Sequence, residues 1–163
     1  MSTFVTVGNA TQPFNRMLDA VCAIAKHLPQ PVVIQYGATD DFSCSDCEAV
    51  DFMGMREFDE QISNAELLIM HAGAGSVINA VRSGKTPVVM PRRVDLGEHV
   101  DDHQIEFCRQ LGNTGKILIA HDLKTLGEAC DIALSGQNKT GGNGATEPAL
   151  VCLVRDILER ESH

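Results

Sequence analysis

Glu66-Leu67-Leu68-Ile69-Met70-His71-Ala72-Gly73-Ala74-Gly75-Ser76 is an apolar run that ends in a glycine turn and opens an Ala/Val/Ile-containing segment. A strand passing through glycines into a helix N-terminus builds an anion site. The glycines let the backbone approach a phosphate, and free N–H groups with the positive end of the helix dipole face it. Further on, Gly97-Glu98-His99-Val100-Asp101-Asp102-His103-Gln104 gathers hydrogen-bonding side chains at the start of the next helix, on the same edge of any parallel sheet. Together the two pieces point to a pocket for a phosphorylated, hydroxyl-rich ligand, with a nucleotide sugar as the leading candidate.

Outward from this stretch, apolar strands and amphipathic helices alternate. Phe4–Val7 reads as a short strand ending at Gly8-Asn9. Pro13 starts a helix whose residues Phe14, Met17, Leu18, Val21, Ile24, Ala25 and Leu28 follow the spacing of one buried face. Pro31–Tyr36 is the second strand, Ala49–Met53 a weak third, Glu57–Asn64 a short helix and Leu67–Met70 the fourth strand. The helix after Ser76 ends near Gly84. Thr86–Met90, the helix Val100–Leu111, the strand Lys116–Ala120 and the helix Leu123–Leu134 follow. Continuous rather than alternating apolar runs imply a parallel sheet covered on both faces. The fold class is therefore α/β, a parallel Rossmann-like sheet with helices on both faces over residues 1–135. Residues 136–145 read as a flexible linker, and 146–163 as a C-terminal helix whose Leu150, Val151, Val154, Ile157 and Leu158 could dock a partner.

The 163 residues are enough for one domain with a real core, and 44% apolar with 21% charged residues is ordinary for a globular chain. A formal charge of −9 argues against nucleic-acid binding, which needs a basic face, but not against a nucleotide held by backbone N–H groups. No apolar run reaches the roughly 18 residues of a transmembrane helix, and the N-terminus has no signal-peptide pattern, so a cytoplasmic location is expected. Cys22, Cys108, Cys130 and Cys152 read as small buried residues. Cys44-Ser45-Asp46-Cys47 lacks both the second pair of a zinc site and the context of a thioredoxin motif, and reads as part of an exposed loop.

Two tempting motifs fail. A dinucleotide fingerprint needs a glycine where Ile78 stands and an acidic residue ending the next strand, which ends instead at Met90-Pro91. Gly84-Lys85-Thr86 imitates a P-loop, but the leading glycine would be Asn79 and the order of helix and strand is reversed.

The succession Val5-Thr6-Val7-Gly8, Pro13-Phe14-x-Arg16-x-Leu18, His71-x-Gly73-x-Gly75-Ser76, Pro87–Arg92 and Gly97–Gln104 matches something else. Over about residues 3–135 it resembles the C-terminal, donor-binding half of GT-B glycosyltransferases of family 28, most of all the stand-alone Alg13-like and bacterial polysaccharide-synthesis subunits. The resemblance implies a single GT-B half-domain with a UDP-sugar site at the C-terminal sheet edge. It places Gly73, Ala74, Gly75 and Ser76 on the diphosphate, Gly8 and Asn9 beside it, and Asp102, His103 and Gln104 on the sugar hydroxyls. Glu98 joins this group or merely favours the helix N-terminus. Threonine is usual where Asn9 stands. Many relatives carry glutamate at the position of Asn79, so a ribose contact there is weaker or has moved. His71 reads as an anchor of the loop before it reads as a base.

The resemblance further implies an inverting transfer of a hexose or N-acetylhexosamine from UDP-sugar, with no obligatory metal or other cofactor. The acceptor, lipid-linked or a polysaccharide, would arrive with a membrane-anchored, Alg14-like partner subunit that recruits the chain to the membrane face. No general base is identifiable. The rival reading is a nucleotide-sugar binding or regulatory protein without transfer activity.

Overall fold

The computed structural model describes residues 2–136; the expected linker and C-terminal docking helix lie outside the described residues. The element order is β1 (Thr3–Thr6), α1 (Asn15–Ile24), β2 (Val32–Gln35), β3 (Glu48–Val50), α2 (Met55–Asn64), β4 (Leu67–His71), α3 (Ala74–Arg82), β5 (Val88–Met90), α4 (His103–Gly112), β6 (Leu118–Ile119) and α5 (Leu123–Ser135). The strands form one six-stranded sheet in the order β3-β2-β1-β4-β5-β6, with every pairing parallel. The expected Rossmann-like sheet is present.

Strand β4 shows why the apolar runs are continuous. Leu67 and Ile69 belong to one core layer, with Phe14, Met17, Leu18 and Val21 from the α1 region and Leu126 and Ala129 of α5. Leu68 and Met70 belong to the other, with Ile62 of α2, Val77 and Ala80 of α3, and Phe107 and Leu111 of α4. Burying each large side chain contributes roughly 1.5–3 kcal/mol, so both faces must be apolar. The chain turns to β2 on one side of β1 and then crosses to β4 on the other. The crevice outside the carboxyl ends of β1 and β4 is where open sheets of this kind bind ligands.

Several boundaries differ from the expectations. Helix α1 starts at Asn15 rather than Pro13: Phe14 is its capping residue, with a non-helical φ of −130° and ψ of 57°, and its N–H donates to the Thr39 hydroxyl at 3.0 Å. Strand β3 lies at Glu48–Val50, not Ala49–Met53, and α2 begins two residues early, at Met55 after Gly54. Helix α3 begins inside the glycine turn, with Gly73 as its capping residue. Helix α4 begins at His103 rather than Val100. The chain after β5 first makes a single 3₁₀ turn at Val94–Leu96 and then passes Gly97 with a φ of +71°, the left-handed region that suits glycine.

Candidate functional site

His71 is the last residue of β4, and its ring is wedged between two glycines. A β-carbon on Gly8 would lie 2.2 Å from the ring Nε2, and one on Gly73 would lie 2.2 Å from Cε1. Neither position tolerates a side chain while the imidazole stays where it is. Gly8 also has a φ of +74°, so the turn after β1 needs glycine twice over.

What holds the ring is Gln104, in the first turn of α4. Its Oε1 accepts the backbone N–H groups of Ala72 at 3.2 Å and Arg92 at 3.1 Å. That fixes the amide orientation, and its Nε2 therefore donates to His71 Nδ1 at 3.3 Å. Because Nδ1 accepts, the ring proton sits on Nε2, the atom packed against Gly8. Burial, reinforced by the charge of Arg92 and by His99, pulls the His71 pKa from 6.5 to about 3. The imidazole is thus a neutral hydrogen-bond donor and a weak base, its Nδ1 already engaged by Gln104.

The first intrahelical bond of α3 runs from the Val77 N–H to the Gly73 carbonyl, at 3.0 Å. The N–H groups of Ala74, Gly75 and Ser76 therefore have no partner within the helix. They face a cleft of about 420 Å³, within the range of small-ligand sites. Gly8, Asn9, His71, Gly73–Ser76 and Asn79 form its polar side, and Met53, Met55 and Phe58 its apolar side. Gln35, ending β2, also lines it. Its carbonyl accepts the Thr6 hydroxyl at 2.7 Å, while the Gly8 N–H donates to the same hydroxyl at 3.1 Å. This relay ties the end of β2 to the glycine turn after β1.

Asn79 Nδ2 donates to Asp59 Oδ1 of α2 at 2.7 Å. The remaining expected residues lie beside this cleft, on the same sheet edge, rather than among those lining it. Glu98 is buried and forms a two-point ion pair with Arg16, with contacts of 2.9 and 3.1 Å, and it accepts the Arg93 N–H at 3.0 Å. Arg16 also donates to the carbonyls of Pro91 and His121. Asp102 is the exposed capping residue of α4, with no side-chain cap bond. His103 pairs with Asp101 at 3.2 Å. Gln104 is buried beneath the turn and acts on the cleft through His71.

Arg92, the largest fully buried side chain, donates to the carbonyls of Val7, Gln12 and Glu98 and stacks 4.7 Å above the Phe14 ring. Burial lowers its pKa to about 10, with Glu98 working the other way. It pins the loops after β1 and β5 together.

Gln35, Met53, Met55, Phe58 and Asp59 went unmarked in the sequence. Gln35 had one available signal: it is the single polar residue closing an otherwise apolar strand on the ligand edge. Met55 is 76% exposed and Phe52 50% exposed, and no local pattern separates such residues from a surface loop.

The same architecture recurs in solved glycosyltransferases. The kitacinnamycin glycotransferase superposes with a TM-score of 0.61 at 16% identity, over 97% of this chain and 39% of that one. MurG of Acinetobacter baumannii gives 0.57 at 19% identity, over 96% of this chain and 49% of that one. The chain is also similar to the UDP-N-acetylglucosamine transferase subunit ALG13 of Yarrowia lipolytica, with 39% identity over 67 residues, 41% of this chain and 32% of that protein. The match thus spans about a third of that relative's length. The model of the glycosyltransferase family 28 C-terminal domain matches residues 2–131, which takes in every strand, the glycine turn and the cleft. The chain belongs to the glycosyltransferase family 28 C-terminal domain family.

Proposed function

We propose that the chain is the donor-binding part of an inverting, UDP-sugar-dependent glycosyltransferase. The observation carrying this reading is the convergence of the Ala74, Gly75 and Ser76 N–H groups and the His71 Nε2–H on one cleft that also has an apolar wall. Such a cleft suits a nucleoside diphosphate. The diphosphate lies on the α3 N-terminus, and the base lies against Met53, Met55 and Phe58. The ribose hydroxyls meet the Asn79 carbonyl and the Asp59 carboxylate. An amide oxygen beside a carboxylate offers the acceptors that a vicinal diol needs.

In the reaction the acceptor hydroxyl attacks the anomeric carbon from the face opposite the diphosphate. Its C–O bond forms as the bond to UDP breaks, UDP leaves with the electron pair, and the hydroxyl proton passes to a base. The developing charge on UDP meets preorganised N–H donors and the helix dipole, so no metal is obligatory.

His71 is unsuited to be the base, and the cleft lining offers no other side chain for that role. In this reading the base and the acceptor, lipid-linked or a polysaccharide, are brought by a membrane-anchored partner. The word "subunit" in the relative's name supports this. Leu96 and Val100, 51% and 72% exposed, are apolar surface near the same sheet edge for such a partner to cover. Among the described residues no helix is long and apolar enough to cross a membrane.

The missing base equally favours a binding protein without transfer activity, and one assay separates the two. Labelled UDP-N-acetylglucosamine, UDP-glucose and UDP-galactose are incubated with the chain and its co-purified membrane partner, with and without a metal chelator. Sugar transfer that survives chelation supports the enzyme. Donor binding without transfer of any sugar supports the binding protein.

A further inference from the structure

Three thiols meet at the sheet edge opposite the cleft. Cys44 and Cys47 lie in the loop between β2 and β3, with their sulfurs 3.0 Å apart, and Cys22 on α1 lies near enough to Cys44 to bear on its pKa. Cys47 immediately precedes β3, which pairs with β2 from Glu48 opposite Val33, so the group sits at the amino end of the strands. All three cysteines are free and half-buried. A groove lined by Lys26, Gln30, Asp46 and Cys47 opens beside them.

Cys108 and Cys130 are buried in the two core layers, and burial pushes both up to about 12, as it does the half-buried Cys22. Burial also opposes a thiolate at Cys44. Hydrogen bonds from the Cys22 and Cys47 thiols and from the Asp46 backbone N–H outweigh it and hold Cys44 below the ordinary thiol value. Burial raises Cys47, and the neighbouring Cys44 adds to the effect. A partly exposed thiol with its pKa lowered, 3.0 Å from a second thiol with its pKa raised, is the arrangement of an attacking cysteine and its resolving partner. Among the described residues no group of three or more His, Cys, Asp or Glu is placed to hold a metal ion.

We propose that Cys44 and Cys47 form a reversible dithiol–disulfide site that exchanges with low-molecular-weight disulfides. The Cys44 thiolate attacks one sulfur of a disulfide RSSR, forming a mixed disulfide and releasing RS⁻, which takes a proton from solvent. The Cys47 thiol gives its proton to solvent and attacks Cys44 Sγ, expelling the second RS⁻. Two protein thiols are oxidised and one RSSR is reduced to two RSH. Closing the bond shortens the sulfur separation by roughly 1 Å, and Cys22 remains a thiol.

The experiment treats the full chain with oxidised glutathione and maps its cysteines by mass spectrometry. The expected product is one intramolecular Cys44–Cys47 disulfide that dithiothreitol reverses, with Cys108 and Cys130 still reduced. Cys47→Ser should instead accumulate glutathione on Cys44, and Cys44→Ser should abolish both products. On the unsubstituted chain, where folding is not in question, iodoacetamide should label Cys44 at least roughly tenfold faster than Cys108. Equal labelling rates, a disulfide between any other pair, or a chain that stays fully reduced would overturn the proposal.

Discussion

Gly8 and His71 come from different strands and occupy adjoining space so closely that a β-carbon on residue 8 would stand 2.2 Å from the imidazole Nε2. The turn after β1 and the end of β4 are therefore one unit. Gly8→Ala adds both this clash and a left-handed φ, which costs an L-residue roughly 1–2 kcal/mol before any clash. We expect a larger loss of stability than that, together with loss of UDP binding. His71→Ala in the same chain should restore part of the stability but none of the binding. A double-mutant cycle by urea unfolding and calorimetry reads both.

His71 also gives the protein a pH signature. The unfolded chain takes up a proton near 6.5, which the folded chain refuses until about 3. In that window the unfolded state binds more protons, so this contribution is fully present above 6.5 and is lost as pH falls. One such group gives a slope of about 1.4 kcal/mol per pH unit. Urea midpoints should decline as pH falls from about 6.5 towards about 3, and His71→Gln should remove this part of the decline.

Gln104 sets which ring nitrogen of His71 carries the proton. In Gln104→Glu the carboxylate still accepts from Ala72 and Arg92 but cannot donate to Nδ1. The ring proton then moves to Nδ1, and Nε2 becomes an acceptor facing the diphosphate. UDP affinity should fall by at least about tenfold, ~1.4 kcal/mol, with a smaller change in folding stability. Nitrogen-15 spectra of the ring report the tautomer directly.

The Asn79–Asp59 pair makes the ribose contact separable from the diphosphate contact. Asp59→Ala should weaken UDP binding severalfold while leaving the affinity for 2′-deoxy-UDP nearly unchanged. Asp59 is exposed, so the fold should be unaffected. Equal losses for both nucleotides would remove Asp59 from the ribose site.

The sheet and its ligand edge are legible because the central strands are apolar on both faces, and because the glycines of the β4–α3 turn have few other uses. Helix starts were read less well. Thr39 takes the Phe14 N–H from 25 positions away, and no local propensity reports that. The same distance effect hid the duties of Glu98 and Gln104. Their residue types suit sugar hydroxyls, yet the first holds Arg16 across 82 positions and the second holds His71 across 33. The Cys44–Cys47 pair looked like part of an exposed loop because Cys22, its third member, approaches only after α1 has crossed the sheet.

In the proposed donor site the α3 N-terminus holds the diphosphate of a nucleotide. Amide chemical shifts followed by NMR during titration with UDP test it most directly. The account predicts that the N–H signals of Ala74, Gly75 and Ser76 and the His71 ring move together along one saturable curve, more tightly for UDP than for uridine. Signals at these positions that stay still at saturating UDP, or that respond equally to uridine, would contradict it.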